Sequence, residues 1–135
     1  MVKPIPMYEL KLDPKRRYLK IVLRGYWDEK VMDAYEREEA AAFEALDRLG
    51  HPTFCLADLS ELPPQAKEIV ERRIKRLHSP DTKIPSRMAI IASGAILKLQ
   101  SDRMIPRENT EKNIFASRED AEAWLFGEGK RRAVA

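Results

Sequence analysis

Residues 87–92 (RMAIIA), 93–94 (SG), 95–104 (AILKLQSDRM), 113–116 (NIFA) and 117–126 (SREDAEAWLF) decide the fold of this chain. An apolar run too short for a helix passes across a Ser-Gly break into 3.6-residue periodicity, and after a polar link the same pattern recurs. The spacing predicts strand, tight turn, helix, strand, helix. A helix joining two parallel strands must cross over with a right hand, so both strands deliver their carboxyl ends, Ser93 and Ser117, to one edge of a sheet. Ser117 with Asp120 three positions on matches a capping box, and Ala121, Trp124 and Leu125 form the docking face of the last helix.

Working back toward the N-terminus, Tyr8, Leu10 and Leu12 alternate with Glu9 and Lys11, the period-2 signature of a half-buried strand. A turn containing Pro14 leads to residues 18–24, where Leu19, Ile21 and Leu23 alternate with Lys20 and Arg24, so the first two strands form an antiparallel edge hairpin. Asp28 is a good N-cap for a long helix that Gly50 ends, with Trp27 packing on Met32 as a staple. The helix buries Val31, Met32, Tyr35, Ala42, Phe43, Leu46 and Leu49 on one stripe. Helical spacing puts Glu39 inside that stripe, where it is expected to reach the rim and pair with an Arg or Lys. Residues 53–57 (TFCLA) read as a central strand covered on both faces, with Cys55 a small core residue. Pro63-Pro64 is expected to open a second helix with Ala66, Ile69, Val70, Ile74 and Leu77 inside. Its outer face, with Arg72, Arg73 and Arg76, is strongly basic and suits the helix dipole.

The predicted order is ββαβαβαβα: a single α/β domain over residues 8–126 whose mixed, mostly parallel sheet begins with the antiparallel hairpin. Residues 1–7 read as a flexible arm and residues 127–135 as a mobile polar tail. Two fully apolar central strands need cover on both faces, while a βα superhelix winding one way puts its helices mostly on one. A second subunit is therefore expected to supply the rest, making a homodimer.

Composition excludes several classes of function. At 135 residues the chain can bury roughly two-thirds of its unfolded surface without staples. One cysteine permits no intramolecular disulfide and supplies no zinc ligand set. No apolar stretch is long enough to span a bilayer and the first residues lack a signal-peptide core, so no transmembrane segment and a cytoplasmic location are expected. The net charge of +3 arises from interleaved acids and bases, and the basic clusters lack the aromatic residues that stack on single-stranded nucleic acid. Nucleic-acid binding is not expected.

Residues suited to catalysis are equally sparse. A hydrolase needs a nucleophile beside an oriented base, and the only two histidines, His51 and His78, follow helix C-termini. Helix C-termini lie at the sheet edge opposite Ser60, Ser93 and Ser117. No nucleophile elbow, phosphate-binding glycine loop or metal-spaced His/Cys pair occurs, so no catalytic residue, metal or cofactor is assigned. What remains is a set of residues at the carboxyl edge: Trp27, Asp58, Ser60, Ser93, Gly94 and Ser117. Ligands of open α/β sheets bind at that edge, and Ser93-Gly94 would let one approach the backbone closely. The same Ser and Asp residues also read as ordinary N-caps.

The element order, the turn after RMAIIAS and the ending KNIFASREDAEAWL resemble the SpoIIAA-like branch of the STAS and Sec14-like domains, over nearly the whole of residues 8–126. The resemblance implies a non-enzymatic regulatory or protein-interaction module, several members of that family being dimers. Kinship with Sec14-type domains implies, as an alternative, a small apolar, lipid-like ligand; the carboxyl edge offers an anionic one. The best-understood STAS proteins are switched by phosphorylation of a serine in an Asp-Ser-Ser-Gly turn. Asp58-Leu59-Ser60 is similar to the residues that precede such a turn, but Leu62-Pro63-Pro64-Gln65 stands where the switch would be. The phospho-switch is not carried over, and Arg72, Arg73 and Arg76 are the expected surface for a protein partner.

Overall fold

A computed structural model describes residues 5–106, 108 and 110–127. The expected polar tail, apart from Gly127, and the first four residues of the expected arm lie outside the described residues. Nine elements follow in order: β1 (Tyr8–Asp13), β2 (Tyr18–Arg24), α1 (Glu29–Asp47), β3 (Phe54–Glu61), α2 (Lys67–Leu77), β4 (Arg87–Ile91), α3 (Ala95–Met104), β5 (Glu111–Phe115) and α4 (Arg118–Leu125). They form the α/β domain read from the sequence. The strands lie side by side in chain order, β1 antiparallel to β2 and every later pair parallel. Ile90 stands opposite Ile114, so Ser93 and Ser117 share an edge.

Each parallel crossover moves one strand further in the same direction, and the right-handed rule then puts α1, α2 and α3 on one face. That face buries Leu19, Ile21, Cys55, Ala57, Leu59, Met88 and Ile90. The alternate residues Tyr18, Leu56, Ala89 and Ile91 form a second core with Ala121 and Leu125 of α4, which folds back across the opposite face. β4 is buried throughout, including Arg87. Its guanidinium donates to the Trp124 and Leu125 carbonyls at 2.9 and 3.0 Å and stands 4.2 Å from the Trp124 ring centroid. The negative end of α4 therefore receives a cation.

This arrangement corrects the argument for a covering second subunit. α4 closes the apolar half of the second face, while Glu9, Lys11 and Lys20 over β1 and β2 give the other half a polar surface that water can cover.

Three other local expectations change. β3 runs on to Glu61 and pairs with Arg24 past an irregularity in β2. α2 begins at Lys67 with an exposed Ala66 at its N-cap, so Pro63-Pro64 lies in the connection and Ala66 is not on the inner face. The segment is held by Gln65, whose side chain bonds Trp27, Gly25 and Pro63. α3 buries only Leu97 and Ser101, leaving Ile96 and Leu99 outside.

Candidate functional site

Two of the carboxyl-edge residues are caps. Asp28 accepts from the Val31 amide at 2.9 Å and Ser117 from the Asp120 amide at 3.2 Å, each satisfying an otherwise free helix donor. Asp58 is not a cap: its Oδ1 accepts from the Ser60 amide at 3.0 Å and from the Ser60 hydroxyl at 2.7 Å. Trp27, one of the expected ligand-site residues, is buried. Its ring meets Tyr35 edge-on at 5.0 Å, its indole N–H donates to the Arg24 carbonyl at 2.7 Å, and its amide donates to Gln65 Oε1 at 3.0 Å. Both Trp27 donors are thus used within the protein.

Ser93 and Gly94 differ from the other helix starts. Gly94 is the N-cap of α3 with φ of 86°, a left-handed conformation that costs a side-chain-bearing residue, and no side chain among the described residues caps this helix. Both residues are exposed. Beyond them, Ile96 and Leu99 are 62% and 65% exposed, one turn apart on the outside of α3. Tyr26, 75% exposed, belongs to the same end of the molecule. Gln65 ties its turn to Gln100 of α3 through a reciprocal pair of hydrogen bonds at 3.0 and 3.1 Å. Sequence reasoning missed Gln65, since nothing local marks a glutamine that reaches residues 35 and more positions away.

A second group lies between α1 and α2. Arg73, expected on the exposed basic face, instead points inward and forms a two-pronged ion pair with Glu39 at 2.9 and 2.6 Å. Glu39 does pair with an arginine as expected, but at 2% exposure it is in the core and not at the rim. The Tyr35 hydroxyl donates to the same carboxylate at 2.9 Å. Around this pair, Arg72 donates to Asp33 at 2.6 Å and Glu36 at 2.9 Å, and Arg76 donates to the Glu36 carbonyl at 3.0 Å. Of the three arginines only Arg72 and Arg76 reach the surface. Burial, with the Glu39 charge added, pushes the Tyr35 hydroxyl well up and raises the Cys55 thiol. Cys55 is therefore an inert core residue.

A third group was not foreseen. His51 Nδ1 lies 3.1 Å from Ser86 Oγ and Nε2 lies 3.0 Å from Asp47 Oδ1, a serine, histidine and aspartate in hydrogen-bond sequence. Its geometry is that of a structural latch. The ring is reversed relative to a hydrolytic triad, in which Nε2 faces the serine and Nδ1 the acid. Ser86 Oγ already accepts from the Thr53 amide at 3.0 Å, and the Ser86 amide donates back to Thr53 Oγ1 at 3.0 Å, which fastens the amino ends of β3 and β4. The His51 side chain is 59% exposed, so the water exclusion that strengthens a catalytic hydrogen bond is missing.

Two cavities lie beneath the helices, about 40 Å³ against Trp27 and Leu62 and about 60 Å³ against Phe43 and Ile90. A lipid-sized ligand requires several hundred Å³, on the order of the 300–1,000 Å³ typical of ligand sites. Among the described residues no helix is long and apolar enough to cross a membrane, and no cluster of three or more metal-binding side chains occurs.

The fold and these sites can be set beside known proteins. No protein-family model matches the chain, and no curated protein does. Among solved structures, an uncharacterized protein of the DUF3478 family with a SpoIIAA-like fold, from Shewanella loihica PV-4, superposes with a TM-score of 0.63 at 20% identity. The match covers 93% of this chain and 98% of that one. The fold is therefore SpoIIAA-like, in agreement with the ending KNIFASREDAEAWL. At that identity the likeness extends to architecture and carries no role with it.

Proposed function

We propose that this chain is a non-enzymatic regulatory module of the STAS type that acts through protein contact, as a homodimer joined at the carboxyl edge. The observation that supports this reading is the outer side of α3, where Ile96 and Leu99 remain 62% and 65% exposed beside the uncapped Ser93-Gly94 turn. With the apolar half of the second face closed by α4, this flank of α3 is an apolar surface still to be covered. Contiguous exposed apolar area of this kind marks contact sites. A second copy is the occupant that fits, because a two-fold axis sets an apolar patch against its own like and needs no charge complement. Ser60, held by Asp58, and Leu62-Pro63-Pro64-Gln65 in place of a switch turn make the module one without a phospho-switch.

Light scattering at micromolar concentration is expected to give twice the chain mass for the wild type and the single mass for Ile96→Glu/Leu99→Glu. Thermal melting monitored by circular dichroism should confirm that the monomeric variant still folds. A monomeric wild type overturns the homodimer and leaves the patch to a different protein partner. A variant that stays dimeric moves the interface elsewhere.

A further inference from the structure

We propose a second binding site, for a small organic phosphate or carboxylate, in the cleft between α1 and α2. α1 and α2 are joined by the ion pairs of Arg72, Arg73 and Arg76, and beside that seam lies an open cleft of about 480 Å³ whose walls include Ala40, Phe43, Lys75, Arg76 and Lys83. Its volume falls in the range of small-molecule sites, roughly 300–1,000 Å³.

The charge left over in this cleft is cationic. Asp33, Glu36 and Glu39 are taken by Arg72 and Arg73, and Glu44 lies 3.6 Å from Arg48. Lys75 and Lys83, both exposed, make no hydrogen bond or ion pair among the described residues. Arg76, on the same wall, is already engaged: its Nη2 is fixed on the Glu36 carbonyl and its Nε lies 3.6 Å from Glu39 and 3.9 Å from Glu36. Against the two unpaired lysines stands Asp81, the one acid on the wall outside the ion pairs just described.

The position of Lys83 is set by the fold. Thr82 Oγ1 donates to the Arg76 carbonyl at 2.6 Å, drawing the 79–83 loop back over the end of α2 and the lysine over the cleft. Ala40 gives the opposite side an apolar surface. A ligand with an anionic head toward Lys75 and Lys83 and an apolar body on Ala40 meets both. An inorganic ion alone would leave the apolar side unfilled.

Amide chemical-shift titration of the full chain with phenyl phosphate, with benzoate and with uncharged benzyl alcohol, at fixed ionic strength, tests the site. The expected result is saturable shifts confined to residues 36–44 and 72–83 with at least one of the two anions, and none with the alcohol. The stronger of the anions identifies the head group. Lys75→Ala/Lys83→Ala should weaken binding about tenfold or more, the loss of one or two charge-assisted contacts. Its melting temperature should not change, since neither lysine holds the fold. Equal affinity in that variant, shifts scattered over the other basic segments, or no saturable shift with either anion overturns the proposal.

Discussion

On the α4 side of the sheet, Tyr18, Leu56, Ala89 and Ile91 close on Ala121 and Leu125, and contact is made by apolar shape. On the other side, α1 and α2 meet through Glu36, Glu39, Arg72, Arg73 and Arg76. The two interfaces put different demands on the chain. Apolar packing loses stability in proportion to what is removed, and no partner is stranded when a side chain is shortened. A buried ion pair is nearly neutral as a whole and severe when halved, because the remaining charge has lost its water and its counterion together.

Arg73→Met should therefore be the most damaging substitution in the molecule. It leaves Glu39 at 2% exposure with the Tyr35 hydroxyl and, 3.6 Å away, Arg76 Nε, which makes no hydrogen bond to it, and the expected loss is about 3 kcal/mol in urea denaturation. Adding Glu39→Leu should restore most of that loss. If the double variant is no better than the single one, the two interfaces do not differ in the way described. Leu125→Ala on the apolar side is the counterpart. The side chain is fully buried, and its truncation should cost about 3 kcal/mol, with no compensating substitution among its neighbours that restores it.

The same difference explains what could be read in the sequence. The strands and α4 announce themselves in short windows: alternation in residues 8–12, the fully apolar 88–92, the Ser117 cap and the Ala121, Trp124 and Leu125 face are each local. The seam is not local. Glu39 violates its apolar stripe visibly, but its partner sits 34 residues away on a helix where three arginines look alike, and only packing selects Arg73 to turn inward. Ile74, the residue a 3.6 period favours for the inside, is half-buried instead. The carboxyl edge was legible in position and not in detail. Parallel strands fix where Ser93 and Ser117 arrive, but one serine caps its helix and the other does not, because Gly94 intervenes with its left-handed backbone. His51 and Ser86 converge through tertiary packing across 35 positions, which no spacing rule reaches.

Between the large effects and the small ones stand the caps. Ser117→Ala should lower stability by about 1 kcal/mol through the loss of the Asp120 amide bond, and Asp28→Ala by a similar amount through Val31. Measured side by side, these two locate the comparison at its simplest, one hydrogen bond on each face of the sheet. A loss near zero for Ser117→Ala would mean that α4 is held by its apolar packing and the Arg87 anchor without help from the cap.

The smallest effect links the apolar side to pH. Tyr18, at the base of the second core, donates to Glu122 Oε2 at 2.8 Å, and Arg118 lies 3.3 Å from the same oxygen. Burial alone would raise the Glu122 carboxyl, but these hydrogen bonds outweigh it and hold the group below its ordinary value of 4.5. A carboxyl depressed in the folded state favours folding once it is ionised in both states, so its contribution is whole above pH 4.5 and disappears as pH falls through the folded value. Because the group is partly exposed and screened, the contribution is about 0.5 kcal/mol. In Glu122→Gln the stability curve below pH 4.5 should be flatter than in the wild type by about that amount, while above it the two curves run parallel. Tyr18→Phe removes one of the two bonds and should flatten the curve by less. An unchanged acid slope in both variants would mean that Glu122 contributes nothing to the α4 interface, and that this face of the sheet rests on apolar contact and the Arg87 anchor.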